Sequence, residues 1–199
     1  MARSHEDQGL QDGYQTFAFD IYKTITFRPL VLSEDLHRVH YWMNLPHVVP
    51  FWDMALPLDE IREYLRKVLD APHETPYIGE LDGSPMSYWE AYWAADDVIS
   101  RYYEAQPEDQ GIHLLIGPPE FLGKGYALPL LREITTFQFQ HEQTQKIVTE
   151  PDIRNDRVIR VFERCGFEFQ GPIDLPEKRA ALMFCHRERF EKEVAVDRT

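Results

Sequence analysis

The chain predicts a single α/β domain, a sheet of about seven strands flanked by about four helices. Three observations carry this prediction. Stretches of two-residue apolar alternation are interleaved with stretches of helical spacing, with no internal repeat and no low-complexity segment. Two strand-like runs meet at Asp82-Gly83, a dipeptide that favours the tight turn of a β-hairpin. At 199 residues, 43% of them hydrophobic and 13% aromatic, the chain can bury one sizeable core and carries too much apolar surface to remain disordered.

Residues 1–15 are polar without apolar periodicity and read as a flexible lead-in; the domain is placed at 16–190 and a C-terminal tail at 191–199. Residues 17–28 alternate apolar and polar, predicting one or two edge strands ended by Pro29. Ser33 is placed as the N-cap of a helix with Leu36, Val39, His40 and Met43 on one face, stopped by Pro46. A second helix over 58–69 begins after Pro57 and spaces Leu58, Ile61, Leu65, Val68 and Leu69 helically. The three prolines of NLPHVVPFWDMALP make the intervening stretch a structured loop. In the second strand of the hairpin, Tyr88, Glu90 and Tyr92 face one side and Trp89, Ala91 and Trp93 the other. A polar aromatic linker leads to a strand over 111–116, a Pro-Pro turn and a long helix over 125–143. A strand over 146–149 and a helix over 155–164 follow, the helix ending at Cys165-Gly166 with glycine in the left-handed cap. Strands over 167–171 and 179–186 close the domain.

With 34 acidic and 21 basic residues the formal charge is -13, which disfavours nucleic acid and anionic membranes as partners. An anionic ligand then needs a local basic or amide-lined site. Cys165 and Cys185 are too few for a disulfide framework or a zinc module and suit a reducing, cytoplasmic setting. No apolar run reaches membrane-spanning length, and the opening residues do not form a secretory leader. His37 and His40 share a helical face, but no third ligand stands at a recognised spacing and no metal is predicted.

The informative stretch is HLLIGPPEFLGKGYALPLL, in which a strand and a turn deliver Gly123 and Gly125 to the start of a helix. Glycines there let backbone approach a ligand closely, and the amides of a first helical turn favour phosphate. The Gly-Lys-Ser/Thr ending of a Walker loop is absent, and the three-glycine dinucleotide fingerprint is incomplete. Glu120-Phe121-Leu122-Gly123-Lys124-Gly125 instead resembles the Gln/Arg-x-x-Gly-x-Gly/Ala pyrophosphate loop of the GNAT acyltransferase superfamily, with Glu120 departing from the pattern. IVTEPDIRNDRVIRVFERCGFEFQG is similar to that family's later signature, with Asn155 and Gly166-Phe167 in place. The region from EAYWAADD to FLGKG, followed by EPDIRN, resembles the siderophore-biosynthesis branch, and the likeness extends over residues 17–190.

The resemblance implies a mixed, largely antiparallel GNAT sheet whose fourth and fifth strands splay to admit acetyl-CoA or another short acyl-CoA, without a metal. It implies transfer of an acetyl or succinyl group to the hydroxylated nitrogen of N6-hydroxylysine or an N-hydroxydiamine, giving a hydroxamate. It carries the catalytic roles to His113 and Asp152. Leu114, Leu115 and Ile116 are then expected to meet the pantetheine arm and thioester carbonyl; Leu122, Gly123, Lys124, Gly125, Tyr126 and Ala127 the pyrophosphate; and Asn155 the cosubstrate. Trp52 and Tyr92 are candidates to wall the acceptor and Glu90 to pair with its ammonium. The implied partners are a small hydroxylamine and a siderophore synthetase. Each residue keeps a structural alternative: His113 as a core histidine, Asp152 as the cap of the helix near Asn155, Cys165 as packing. Two other functions stay open, acylation of another small amine such as an antibiotic or polyamine, and noncatalytic acyl-CoA binding.

Overall fold

The computed structural model describes residues 13–193. Eight strands form one sheet: β1 (Tyr14–Ala18), β2 (Lys23–Pro29), β3 (Glu74–Leu81), β4 (Ser84–Trp93), β5 (Gln110–Ile116), β6 (Lys146–Thr149), β7 (Glu168–Asp174) and β8 (Arg179–His186). Their order across the sheet is β1-β2-β3-β4-β5-β6-β8-β7. Every neighbouring pair is antiparallel except β5 and β6. Six helices accompany it: α1 (Leu32–Met43), α2 (Val49–Trp52), α3 (Leu58–Asp70), α4 (Ala127–Gln138), α5 (Asp156–Arg164) and α6 (Arg187–Glu193).

The period-two alternation of the strands sorts the core into two layers. On one face Ile78, Tyr88 and Leu115 pack against Leu36, Val39, Met43, Ile61 and Leu65 of α1 and α3. On the other, Phe27, Trp89, Ile112 and Met183 pack against Leu131, Ile134 and Phe137 of α4 and Phe162 of α5. The expected two-sided arrangement of β4 is therefore present. Asp82 and Gly83 both take positive φ, 49° and 75°, at the β3–β4 turn.

Several boundaries differ from the sequence reading. Of the one or two strands expected in the first run two form, because residues 19–22 turn it back on itself with Tyr22 at φ 51°, which brings the sheet to eight. β1 starts at Tyr14, inside the segment read as a lead-in, and α6 runs to Glu193, inside the segment read as a tail; residues 1–12 and 194–199 lie outside the described residues. Ser33 is not the N-cap of α1: Val31 holds that position, and Asp35 Oδ2 turns back to accept from the Val31 amide at 3.0 Å. α4 is shorter than 125–143 at both ends. Gly125 sits at φ 80° before it. At its end Gln140 N and His141 N bond three residues back, tightening the last turn, and Arg187 takes the carbonyls of His141 and Thr144. The segment read as a loop before residue 58 contains the single turn of α2, and α6 was not expected.

The feature that positions a site is the junction of β5 and β6. They pair only at Gln110↔Ile147 and Gly111↔Val148. Beyond this the chain after β6 leans on β8 instead, through Ala181 N to Pro151 O at 2.9 Å, Ile153 N to Arg179 O at 3.0 Å and a bridge of Asp152 with Ala180. On that side β5 continues to Ile116 without a strand partner, while β4 stays paired with it on the other. Gly117 N still bonds Met86 O on β4, so alternation turns Leu115 and His113 backbone toward β4 and that of Ile112, Leu114 and Ile116 toward the gap.

Candidate active site

A cavity of about 400 Å³ runs through this gap. Its wall combines Tyr64, Glu90 and His113 on the α1/α3 side with Leu114, Val158 and Phe162 on the α4/α5 side; residues 49–54 form one edge, and Thr149 to Asp152, Arg154 and Asn155 another. The turn between β7 and β8 adds Glu177 and Lys178.

At its centre is His113. The antiparallel register of β4 and β5 sets it directly opposite Glu90, and Nδ1 lies 3.0 Å from Glu90 Oε2. Nε2 meets Glu150 Oε1, so each ring nitrogen has a carboxylate partner. Glu90 also accepts from the hydroxyls of Tyr88, at 2.7 Å, and Tyr64. Glu150 accepts from Tyr92 Oη at 2.9 Å, with Lys178 Nζ 3.8 Å away. Burial disfavours charge on all three groups, yet they charge one another. The carboxylates hold the His113 pKa well above the ordinary histidine value, while His113, Lys178 and the Tyr92 hydroxyl hold Glu150 at about 2. Glu90 is likewise pulled below its ordinary value against its burial, first by His113. The His113 side chain is 28% exposed, so it is reachable from the cavity despite its two partners.

Asp152 lines the same cavity without touching His113. Its Oδ1 accepts from the backbone and Nε of Arg154 at 2.8 and 2.9 Å, and its Oδ2 from Arg154 Nη2 at 2.6 Å, which draws its pKa down. It does not cap α5. Asn155 does, accepting from Val158 N at 3.3 Å. Trp52, on α2, donates from Nε1 to Leu114 O at 3.2 Å and stands edge-on to Tyr88 and His113. His47 Nε2 similarly meets Ile116 O at 3.0 Å.

Of the residues singled out in the sequence, His113, Asp152, Leu114, Asn155, Trp52 and Glu90 converge on this cavity. Tyr92 does not line it: it is 1% exposed and lies beneath His113, with ring centroids 4.8 Å apart. Leu115 packs into the α1/α3 core with its backbone committed to β4, so Leu114 and Ile116 alone of that trio present backbone to the gap. Leu122, Gly123, Lys124 and Gly125 form an exposed bend beyond the cavity, continued by half-buried Tyr126 and Ala127. Gly123 and Gly125 have φ of 71° and 80°, a region L side chains rarely adopt, and no atom stands within 4 Å of where a Cβ would be at either. α4 starts just after them with no side chain capping its amides. An open, glycine-shaped bend feeding an uncapped helix start, beside an unpaired strand edge, fits a diphosphate followed by an extended amide-bearing arm. Glu150, Tyr64 and Lys178 were missed in the sequence; the EPD triplet was the signal that held Glu150.

Residues 31–175 match the family described as acetyltransferase (GNAT) domain. The chain is 35% identical over 184 residues to the N(6)-hydroxylysine O-acetyltransferase of Escherichia coli, which covers 92% of this chain, while the chain spans only 58% of that relative's length. It is 33% identical over 163 residues to the N-hydroxyputrescine acetyltransferase of Acinetobacter baumannii, covering 82% of this chain and 78% of the relative. Among solved structures, AAC(6')-Ib in complex with paromomycin and acetyl-CoA superposes with a TM-score of 0.78 at 32% identity, over 85% of this chain and 97% of that one. Fold, splayed strands and glycine bend thus agree with the matched sequence, and the chain belongs to the GNAT acetyltransferase family.

Proposed function

We propose that the protein is an acyl-CoA-dependent N-acyltransferase that converts an N-hydroxylated lysine or N-hydroxydiamine to a hydroxamate for siderophore biosynthesis. The observation that carries this reading is the cavity through the β5–β6 gap: one side of it meets the edge of β5 that β6 leaves without a strand partner and the other a set of carboxylates around His113 and Asp152. The relatives named for hydroxylated amines supply the acceptor class.

Gly123, Gly125 and the first amides of α4 would hold the diphosphate, and the amides of Leu114 and Ile116 the pantetheine arm. Acyl-CoA, when bound, supplies an acyl group already activated as a thioester. The residues therefore need to orient an acceptor nitrogen, keep it neutral and receive its proton. An N-alkylhydroxylamine is far less basic than an alkylamine and is largely neutral near pH 7, which lowers the demand for a strong base. Asp152 is ionised and accepts the hydrogen bond of the N-hydroxyl group, with Arg154 fixing its orientation. Trp52 and Tyr64 wall the hydrocarbon part of the acceptor, and the acidic lining favours a cationic one. We place the reaction in the cytoplasm, where the buried thiols Cys165 and Cys185 stay reduced, with a siderophore synthetase as the downstream partner.

Steady-state assays with acetyl-CoA and succinyl-CoA against N6-hydroxylysine, N-hydroxycadaverine and the unhydroxylated parents test the reading. A preference for the hydroxylated acceptors is expected. The likeness to AAC(6')-Ib favours a second reading, an unhydroxylated amine acceptor, which a preference for plain amines would establish instead. Binding of acyl-CoA with no turnover on any amine would leave a noncatalytic module.

A further inference from the structure

We infer that Glu150 and Glu90 clamp His113 as a doubly protonated imidazolium, so that His113 serves as a fixed cation at the cavity wall and not as the proton acceptor, with Glu150 as its positioning residue. The inference follows from proton accounting around the ring. A neutral imidazole has one N–H and one lone pair, so with a carboxylate oxygen on each nitrogen it would set a lone pair against an ionised oxygen. The alternative, a proton on the ring-facing oxygen of one carboxyl group, would close the same contact but give up the charge that strengthens that group's other hydrogen bonds. Glu90 receives the Tyr64 and Tyr88 hydroxyls, and Glu150 receives the Tyr92 hydroxyl with Lys178 nearby. Each of these groups is a donor toward an acceptor, and ionised carboxylates only accept. With both glutamates ionised and both ring nitrogens protonated, every one of these hydrogen bonds is charge-assisted.

The groups facing His113 come from every element around it: Glu90, Tyr88 and Tyr92 on β4, Glu150 after β6, Lys178 in the β7–β8 turn, Trp52 on α2 and, through Glu90, Tyr64 on α3. Glu74 on β3 acts on His113 electrostatically from farther off, and Asp97 on Tyr92 and Glu74. Glu150 is the member that joins His113 to the far lip of the gap, since Glu90 already sits beside it on β4. Removing the Glu150 charge leaves the ring with one anionic partner and lets it lose a proton at lower pH.

Nitrogen-15 spectra of the full chain labelled at histidine, with His113 assigned by its absence in His113→Gln, test the protonation state directly. Both ring nitrogens are expected to be protonated at pH 7. A singly protonated ring at pH 7 overturns the inference. The second arm rests on the acyltransferase reading and uses kcat at saturating acceptor. Wild type is expected to show no ionisation that disappears in His113→Gln, whereas Glu150→Gln loses about tenfold in kcat as pH rises from 6 to 8.5. A wild-type rate that climbs with pH through an ionisation absent from His113→Gln would make His113 a base and overturn the proposal. A Glu150→Gln profile parallel to wild type would remove Glu150 from the clamp. If no hydroxylated acceptor turns over, the functional reading fails while the spectra still decide the clamp; if Glu150→Gln does not fold, the wild-type spectra decide it alone.

Discussion

Gly111→Ala tests whether the packing beneath His113 governs turnover, because the substitution lies outside the cavity and changes no charge. A Cβ at Gly111 would stand 2.1 Å from Cε2 and Cζ of Tyr92 and 2.5 Å from its hydroxyl oxygen. Carbon atoms in contact sit about 3.5–4.0 Å apart, so the ring must retreat by about 1.5 Å. Tyr92 has little room to do so: it is buried, packed at 4.8 Å against the His113 ring at a 40° tilt and bonded to Glu150 at 2.9 Å. The retreat carries the hydroxyl out of hydrogen-bond range of Glu150. Overpacking costs about 1–3 kcal/mol, and a hydrogen bond to a charged group contributes about 1.5–3 kcal/mol, so a total loss of about 2.5–6 kcal/mol is expected. In a chain of this size that lowers the melting temperature by about 5–24 °C. Misplacing His113 by a fraction of that shift should reduce kcat about ten- to a hundredfold. Tyr92→Phe, which keeps the ring and loses the hydroxyl, separates the hydrogen bond from the packing. Thermal melts and steady-state rates of both variants give the answer. A Gly111→Ala protein melting within about 1 °C of wild type, with kcat within about twofold, would mean that Tyr92 does not hold the catalytic platform.

Gly125→Val places a β-branched residue at φ 80° with no neighbour to collide with, so its effect is backbone strain of about 1–2 kcal/mol in the bend. KM for acetyl-CoA should rise about tenfold with kcat little changed, and an unaltered KM would remove the bend from cosubstrate binding. Asp35 has no exposed side-chain surface and is bound by Arg28 at 2.7 and 2.8 Å, by the Val31 amide and by Arg38. Asp35→Asn should cost about 3–5 kcal/mol in urea unfolding at neutral pH. Burial opposes ionisation of Asp35, but Arg28 and the Val31 amide draw its pKa below the ordinary value. Its contribution is therefore present above the unfolded carboxyl value and is lost as pH falls through the folded one, so wild type and variant should converge as pH falls below the ordinary aspartate range. Glu74 behaves oppositely: burial and the neighbouring Glu90 push it up to about 8. The folded state then holds a proton that the unfolded state has released, and stability declines as pH rises from the ordinary glutamate value toward 8. Glu74→Gln should melt above wild type at about pH 9, with the advantage disappearing toward pH 5, and a constant difference across that range would contradict the assignment.

Signals confined to a few consecutive residues were readable in the sequence. Asp82-Gly83 specified a turn whose two residues both adopt positive φ, and Asn155 and Gly166 marked the ends of α5. The two-sided character of β4 followed from its alternation. What was not readable depends on register or on distant chain. Glu90 and His113 were both visible as chemistry-bearing residues, but their pairing follows from the antiparallel register of β4 and β5 across 23 residues of sequence. Glu150 lies one residue beyond the end of β6, and its partner becomes evident only once β6 leaves β5 for β8. The Leu114, Leu115, Ile116 trio shows a missed inference of another kind, since strand alternation alone excludes the middle residue from the gap. α6 escaped notice because RERFEKE offers Phe190 as its sole large apolar residue and no periodic face.

The same distinction explains how a chain of formal charge -13 can serve an anionic cosubstrate. Net charge counts side chains, whereas the bend at Gly123 and Gly125 and the start of α4 present peptide dipoles, which carry no formal charge and act over the short range where screening is weakest. Of the residues in the bend, only Lys124 adds a formal positive charge. The cavity inverts the arrangement. Asp53, Glu90, Glu150, Asp152 and Glu177 face His113, Arg154 and Lys178 around its wall, and each of these cations lies beside an acid of the same wall. In the proposed transfer the bend offers phosphate its backbone, while the cavity wall keeps an excess of carboxylate for a basic acceptor. The sheet between them opens only where β5 outruns β6, so the two reactants of the proposed transfer approach from regions of opposite local polarity and meet at the single gap that joins them.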